Sequence, residues 1–269
     1  MNEKRYLNWF NKIGYGSGDI AGNCVYALLS SFVMIYLTDT VGLNAGIVGT
    51  LMAVSKIFDG ITDVFFGNMI DRTRSKMGKA RPWMLWPYIG NVVCLVACFA
   101  IPTSWGLTAQ YAFFFISYTM LNAVFFTANN IAYGALTALI TKNGNERVQM
   151  GSLRFIFAYA TSLVIQAITV NSVDALGGGA VGWKWIAVIY ALAGLAINTF
   201  SVFSVKELPE SELEHNKKET EEPSEKIGYT ETAMLLLSNK YFLLICGIYL
   251  MSHISNAFVG IGIYFMTYV

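Results

Sequence analysis

Apolar residues run in long blocks along this chain, and the polar ones gather between them. From Pro82 to Thr141 there is no Asp, Glu, Lys or Arg, and from Tyr241 to Val269 there is again none. A helix needs about 20 apolar residues to cross a bilayer. The first block therefore has room for two crossings, and Pro102-Thr103-Ser104-Trp105-Gly106 marks the turn between them. Inside lipid the backbone must satisfy its own hydrogen bonds, which makes these segments helices. The pattern predicts seven spans, at roughly Gly14–Leu37, Ala45–Ile70, Trp83–Ile101, Leu107–Ile140, Gly151–Val170, Trp183–Phe203 and Tyr241–Tyr268. The second and fourth exceed the bilayer thickness and are expected to tilt or to extend beyond it.

Composition agrees. The chain is 55% hydrophobic and 13% charged, with a mean hydropathy of +0.50; an ordinary soluble domain is about 25% charged. A disordered chain, a nucleic-acid binder and a disulfide-stapled secreted module are excluded, and an all-α, multi-pass membrane protein is left. Cys24, Cys94, Cys98 and Cys246 all lie in apolar segments without a metal-binding spacing and read as small apolar fillers. Trp83, Trp86, Trp183 and Trp185 fall near span ends and read as interfacial anchors.

The net charge of +1 hides a strong segregation. Lys4, Arg5 and Lys12, then Arg72, Arg74, Lys76, Lys79 and Arg81, then Lys142 and Arg147, then Lys206, Lys217, Lys218, Lys226 and Lys240 all fall on one side of the predicted spans. Lys184 alone falls on the other. The positive-inside rule therefore places the N-terminus in the cytoplasm of a cell (plasma or inner) membrane. The segment from Lys206 to Lys240 is rich in Glu and carries Pro209 and Pro223, a composition that cannot build a core. The expected organisation is a six-helix bundle at 1–205, a cytoplasmic linker at 206–240 with a short helix around Glu231–Leu237, and a seventh helix at 241–269. Six spans, a charged linker and further spans are the layout of a two-bundle transporter. A lone seventh helix has no bundle to join, so a C-terminal bundle is expected to be missing from the sequence given.

Charged groups inside spans cost about 2.5–3.5 kcal/mol each at the bilayer centre, so they mark function or pairing. Lys56, Asp59 and Asp63 fall at helical spacing on one face of the second span. Such a stripe can hold a small cation, with Asp59 and Asp63 as a Na+ candidate site, can carry a proton because like charges raise one carboxyl pKa, or can be a static lock between helices. Lys56 can stand in as the counter-charge when no cation is bound. Arg154, one turn into the fifth span, can pair with an Asp of the second span, grip a polar substrate or reach out to the interface. Asp19 follows Gly16-Ser17-Gly18, where helices can approach closely, and is read as a substrate contact or a local cap. Asn23, Asn129 and Asn130 offer amides suited to sugar hydroxyls or to bonds between helices. Tyr26, Tyr36 and Tyr133 are candidates to line a cavity and stack on a sugar ring.

The second span and its exit read Asp59-Gly60-Ile61-Thr62-Asp63, then Gly67-Asn68-Met69-Ile70-Asp71-Arg72-Thr73-Arg74-Ser75, then Gly78-Lys79-Ala80-Arg81-Pro82-Trp83. This resembles the signature of the glycoside–pentoside–hexuronide:cation symporters, whose fold is that of the major facilitator superfamily. The likeness runs from Tyr15-Gly16 through Thr38-Asp39 to Tyr268. It implies a major facilitator-type six-helix N-terminal bundle plus the first helix of a second bundle. It also implies alternating-access uptake of a glycoside or related sugar coupled to Na+, Li+ or H+, with no cofactor and no enzymatic reaction. The cation site it implies is Asp59, Asp63 and Thr127, with Thr62 between the carboxylates. For the substrate it implies Arg154, while Asn23 and Asn130 stand where a well-studied member of the family has the carboxylates that hold its sugar; with Asp19 and Tyr133 from the reading above, the expected substrate site is Asn23, Asn130, Arg154, Asp19 and Tyr133. Lys56 and the run from Asp71 through Arg72 and Arg74 to Arg81 would act in gating, as a cytoplasmic latch of ion pairs. The implied partners are a small sugar, a monovalent cation and the lipid bilayer. The rival readings are an uncoupled facilitator and a seven-helix receptor or regulator that does not transport.

Overall fold

The computed structural model describes residues 4–209, 212, 234 and 237–268. Among these there is no strand. The helices are α1 (Trp9–Thr40), α2 (Ala45–Arg72), α3 (Arg81–Cys98), α4 (Leu107–Ile140), α5 (Gly144–Ala175), α6 (Gly179–Ser204) and α7 (Lys240–Tyr268). Their order matches the apolar blocks, and several ends reach further than hydropathy marks because polar caps set them. Asn44 starts α2 by accepting from the amides of Gly46 and Ile47 at 2.9 and 3.3 Å. Asn143 starts α5 by accepting from Glu146 N at 3.1 Å. These are ordinary N-caps, which end-weighted hydropathy cannot register. The short helix expected around Glu231–Leu237 lies largely outside the described residues.

The chain forms two compact units, Met1–Leu213 and Glu214–Val269. In the first, α1 through α6 pack on two apolar clusters. One holds Leu28, Tyr36, Leu95, Phe99, Phe114 and Trp183 among others. The second holds Tyr15, Met84, Tyr133, Leu136, Met150 and Val202 among others. Two expectations fail here. Tyr36 is fully buried, its hydroxyl taking the Ile101 amide at 3.2 Å, so it lines no cavity. Trp183 stacks on Phe99, with ring centroids 5.9 Å apart, and is core rather than an interfacial anchor. An aromatic near a span end serves either role, and only the packing partners decide between them. By contrast Trp86 and Trp185 are exposed.

The helices also meet through polar groups. Pro87 interrupts α3, and a proline inside a helix opens the preceding turn. At that turn the Met84 carbonyl accepts from the side-chain amides of both Asn129 on α4 and Asn198 on α6. Asn129 is thus a bond between helices, one of the two readings its sequence position allowed. The flanks of α2 and α5 leave large apolar side chains exposed, among them Ile57, Ile61, Val64, Phe155, Tyr159 and Leu163.

In the second unit, Asn239 caps α7 by accepting from the amides of Tyr241 and Phe242 at 3.0 and 3.3 Å.

Candidate functional site

The site begins at Gly18. A Cβ there would come within 2.8 Å of the Tyr133 ring, so only glycine lets α4 lie this close to α1. Tyr15 and Tyr133 then lock the two helices reciprocally. The Tyr15 hydroxyl donates to the Tyr133 carbonyl at 2.9 Å, and the Tyr133 hydroxyl donates to the Tyr15 carbonyl at 2.7 Å. The Tyr133 hydroxyl also lies 3.1 Å from Asp19 Oδ2. It is engaged with α1 and the residue is 3% exposed, so Tyr133 offers no free hydroxyl.

Arg154 of α5 closes this arrangement. Its Nε donates to Asp19 Oδ2 at 2.6 Å and its Nη2 to Asp19 Oδ1 at 3.4 Å, and the guanidinium carbon sits 4.1 Å from the centroid of the Tyr133 ring. The partner of Arg154 is therefore an Asp of the first helix. Of the three roles its sequence position allowed, pairing with an Asp of the second span is the one this contact replaces, because α5 packs along α1. Bidentate contact and stacking on an aromatic face both exploit the planarity of guanidinium.

Beside this group lies a cavity of about 250 Å³ lined by Asp19, Asn23, Tyr26, Asn129, Asn130 and Tyr133, with Phe126 and two glycines. Asn23 donates to the Asp19 carbonyl at 2.8 Å, and Asn130 is exposed. Four of the residues read as substrate contacts, Asp19, Asn23, Asn130 and Tyr133, thus meet in one place, with Arg154 bound to the first of them. The cavity combines an aromatic wall with amide and carboxylate groups, a lining suited to a small polyhydroxylated solute.

The cation candidates lie on α2 and α4, which pack together along the whole of α4. Lys56 Nζ lies 2.7 Å from Asp59 Oδ2, an ion pair between residues one turn apart on α2. The second carboxylate oxygen of Asp59, Oδ1, is buried without a hydrogen-bond partner. Asp63 is exposed. The Thr62 hydroxyl turns back onto the helix, 3.0 Å from both the Phe58 and Asp59 carbonyls, leaving it only acceptor capacity. Thr127 is 7% exposed and opens the helical stretch after a π-helical segment, Met120–Phe126. Groups of three or more His, Cys, Asp or Glu able to hold a metal are absent among the described residues.

Asp71, Arg72 and Arg74 are exposed. The latch region is organised by a residue the sequence reading assigned to the linker. The Glu207 carboxylate accepts from the backbone amides of Lys79, Ala80 and Arg81 at 2.7, 2.9 and 3.0 Å. It caps the start of α3, while Arg81 Nε donates to the Val202 carbonyl at 2.9 Å. Glu146 plays a matching part at the start of α5. It is 2% exposed and accepts from the amides of Tyr6 and Leu7 at 3.2 and 3.1 Å and from the Thr141 hydroxyl at 2.6 Å, with Lys12 Nζ at 3.7 Å. Neither Glu stands out in composition, since each lies in a run of polar residues.

A family model described as MFS/sugar transport protein matches residues 14–269. The uncharacterized symporter YnaJ of Bacillus subtilis (strain 168) is 30% identical over 273 residues, covering 97% of this chain and 55% of that protein. The putative glycoside/cation symporter YagG of Escherichia coli (strain K12) is 32% identical over 266 residues, covering 98% and 55%. The isoprimeverose transporter of Lactiplantibacillus pentosus is 33% identical over 206 residues, covering 75% and 42%. The chain spans about half the length of these relatives.

Proposed function

The chain belongs to the MFS/sugar transport protein family, and on that premise we propose that it supplies the N-terminal six-helix part of a sugar:cation symporter. The family is one of membrane transporters, not of enzymes. In our reading a glycoside, pentoside or hexuronide occupies the cavity between α1 and α4. Asn23 and Asn130 bond its hydroxyls, the edge of Tyr133 lines its pocket, and the Asp19–Arg154 pair orients it. A Na+, Li+ or H+ is held on α2 by Asp59 and Asp63 with Thr127 of α4, displacing Lys56. Uptake then proceeds by alternating access, and each ligand raises the affinity for the other, as linkage requires.

The observation that carries this reading is the convergence of Asp19, Asn23, Asn130 and Tyr133 on one cavity, with Arg154 bound to Asp19. The relatives named as a glycoside/cation symporter and as an isoprimeverose transporter support a glycoside as the solute. The charge segregation supports a cytoplasmic N-terminus and, with it, the inward face of the basic turn between α2 and α3.

Uptake of labelled glycosides into membrane vesicles carrying the protein, with a Na+ gradient, a proton gradient or neither, tests the proposal. Gradient-driven accumulation that disappears in both Asp59→Asn and Asp63→Asn is the expected result. Accumulation that persists in both variants removes the coupling role of α2. Equilibration without accumulation under any gradient identifies an uncoupled facilitator instead.

A further inference from the structure

Two glycines line the cavity between α1 and α4, and they stand there for different reasons. At Gly18 a Cβ would press on the Tyr133 ring, as Cβ atoms at Gly14 and Gly16 would press on Ser204 and on Leu153 and Phe157, so close packing explains these three. At Gly22 a Cβ would meet nothing within 4 Å. Glycine in a helix interior weakens the helix relative to alanine, and at position 22 no close contact accounts for it. What the absent side chain leaves is room on the cavity wall.

The aromatic candidates separate by exposure. Tyr36 is sealed in the core, and Tyr133 is 3% exposed with its hydroxyl tied to α1. Tyr26 is 54% exposed and lines the cavity one turn beyond Gly22. Its ring is stacked on Phe126 of α4, with centroids 6.2 Å apart and planes 22° from parallel. Phe126 steadies the ring from one side, while more than half of the side chain stays uncovered. Asp19, Gly22, Asn23 and Tyr26 recur at helical spacing and share one face of α1. Helical side chains lean toward the helix N-terminus, so Tyr26 borders the step that Gly22 leaves empty.

Resting on the reading that a sugar occupies this cavity, we infer that the sugar ring seats on the open step at Gly22, with a face of C–H groups against Tyr26 and hydroxyls on the amides of Asn23 and Asn130. Tyr26 is then the stacking residue and Gly22 sets the room for the ring. Only a closed ring presents such a face, so the seat selects cyclic sugars and their glycosides over open-chain polyols.

The test is calorimetric titration of the purified protein with the methyl glycosides of glucose, galactose and xylose and with the polyols sorbitol and xylitol, beside thermal unfolding of each variant. The parent is expected to bind a glycoside at least tenfold more tightly than either polyol. Tyr26→Leu, which keeps apolar bulk without a ring, is expected to weaken glycoside binding about tenfold, and Tyr26→Phe to bind nearly as the parent does. Gly22→Leu fills the step and is expected to weaken binding about tenfold or more, while Gly22→Ala raises the unfolding temperature. A packing glycine gives the opposite sign, so a fall in unfolding temperature in Gly22→Ala overturns the seat. Equal weakening in Tyr26→Phe and Tyr26→Leu, or polyols bound as tightly as glycosides, overturns the stacking. If Tyr26→Leu and Gly22→Leu bind as the parent does while Asn23→Ala and Asn130→Ala bind weakly, the seat is wrong and the sugar cavity stands. If the parent binds none of the glycosides, or both asparagine variants bind as the parent does, the cavity reading itself fails and the seat with it.

Discussion

Arg154 grips Asp19 across two helices far apart in sequence, with Nε 2.6 Å from one carboxylate oxygen and Nη2 3.4 Å from the other. Both side chains are mostly buried, 27% and 19% exposed, and the guanidinium lies over the Tyr133 ring. A lysine cannot reproduce both contacts, since it offers a point charge in place of a planar fork. Arg154→Lys is therefore expected to weaken binding of the transported sugar about tenfold, or ~1.4 kcal/mol. Asp19→Asn should cost about as much, and the double variant little more than either, because both changes break one unit. Equilibrium binding of a labelled glycoside checks this; fully additive losses would mean that the two residues act on the sugar independently.

Glu207 and Gly78 form a second coupled pair. Gly78 has φ +111°, and a Cβ there would lie 2.3 Å from the Glu207 carboxyl carbon. The carboxylate can reach the amides of Lys79, Ala80 and Arg81 only because residue 78 has no side chain. Losing a helix N-cap costs about 0.5–2 kcal/mol, so Glu207→Ala should destabilise the protein by about that amount. Gly78→Ala should cost at least as much, since it adds backbone strain to the loss of the cap. Thermal unfolding in detergent reads both, and a double variant no worse than Gly78→Ala alone is the expected result. Unchanged stability in Glu207→Ala would show that the cap carries no weight.

How far the sequence reveals this molecule depends on the range over which each signal acts. Apolar blocks disclosed the helices because lipid forces every backbone group to pair within its own segment. Asp59 and Asp63 were legible because an acid inside a long apolar run costs free energy wherever it points. Periodicity, however, ranks residues on one helix and is silent about the next. It therefore left the partner of Arg154 open, and the partner proved to be Asp19, not a residue of α2. Glu207 was hidden by averaging, since it opens a segment whose composition as a whole forbids a core.

Lys56 offers a test with an unusual sign. Its ammonium sits 2.7 Å from Asp59, where on the proposed function it would compete with the incoming cation. Lys56→Gln removes the competitor while keeping a polar side chain on a position whose side chain is 55% exposed. Na+ affinity is expected to rise about tenfold, with a lower sodium requirement for sugar uptake. A fall in affinity would make Lys56 a support of the site and not its occupant.

The central claim is that a cation on α2 and a sugar between α1 and α4 belong to one coupled system. The most direct measurement is the dissociation constant of a labelled glycoside with and without saturating NaCl, in the parent protein and in Asp59→Asn. Sodium is expected to tighten sugar binding in the parent about fivefold or more, a coupling free energy of ~1 kcal/mol or above, and to have no effect in Asp59→Asn. An identical sodium effect in both proteins, or none in the parent, would contradict it.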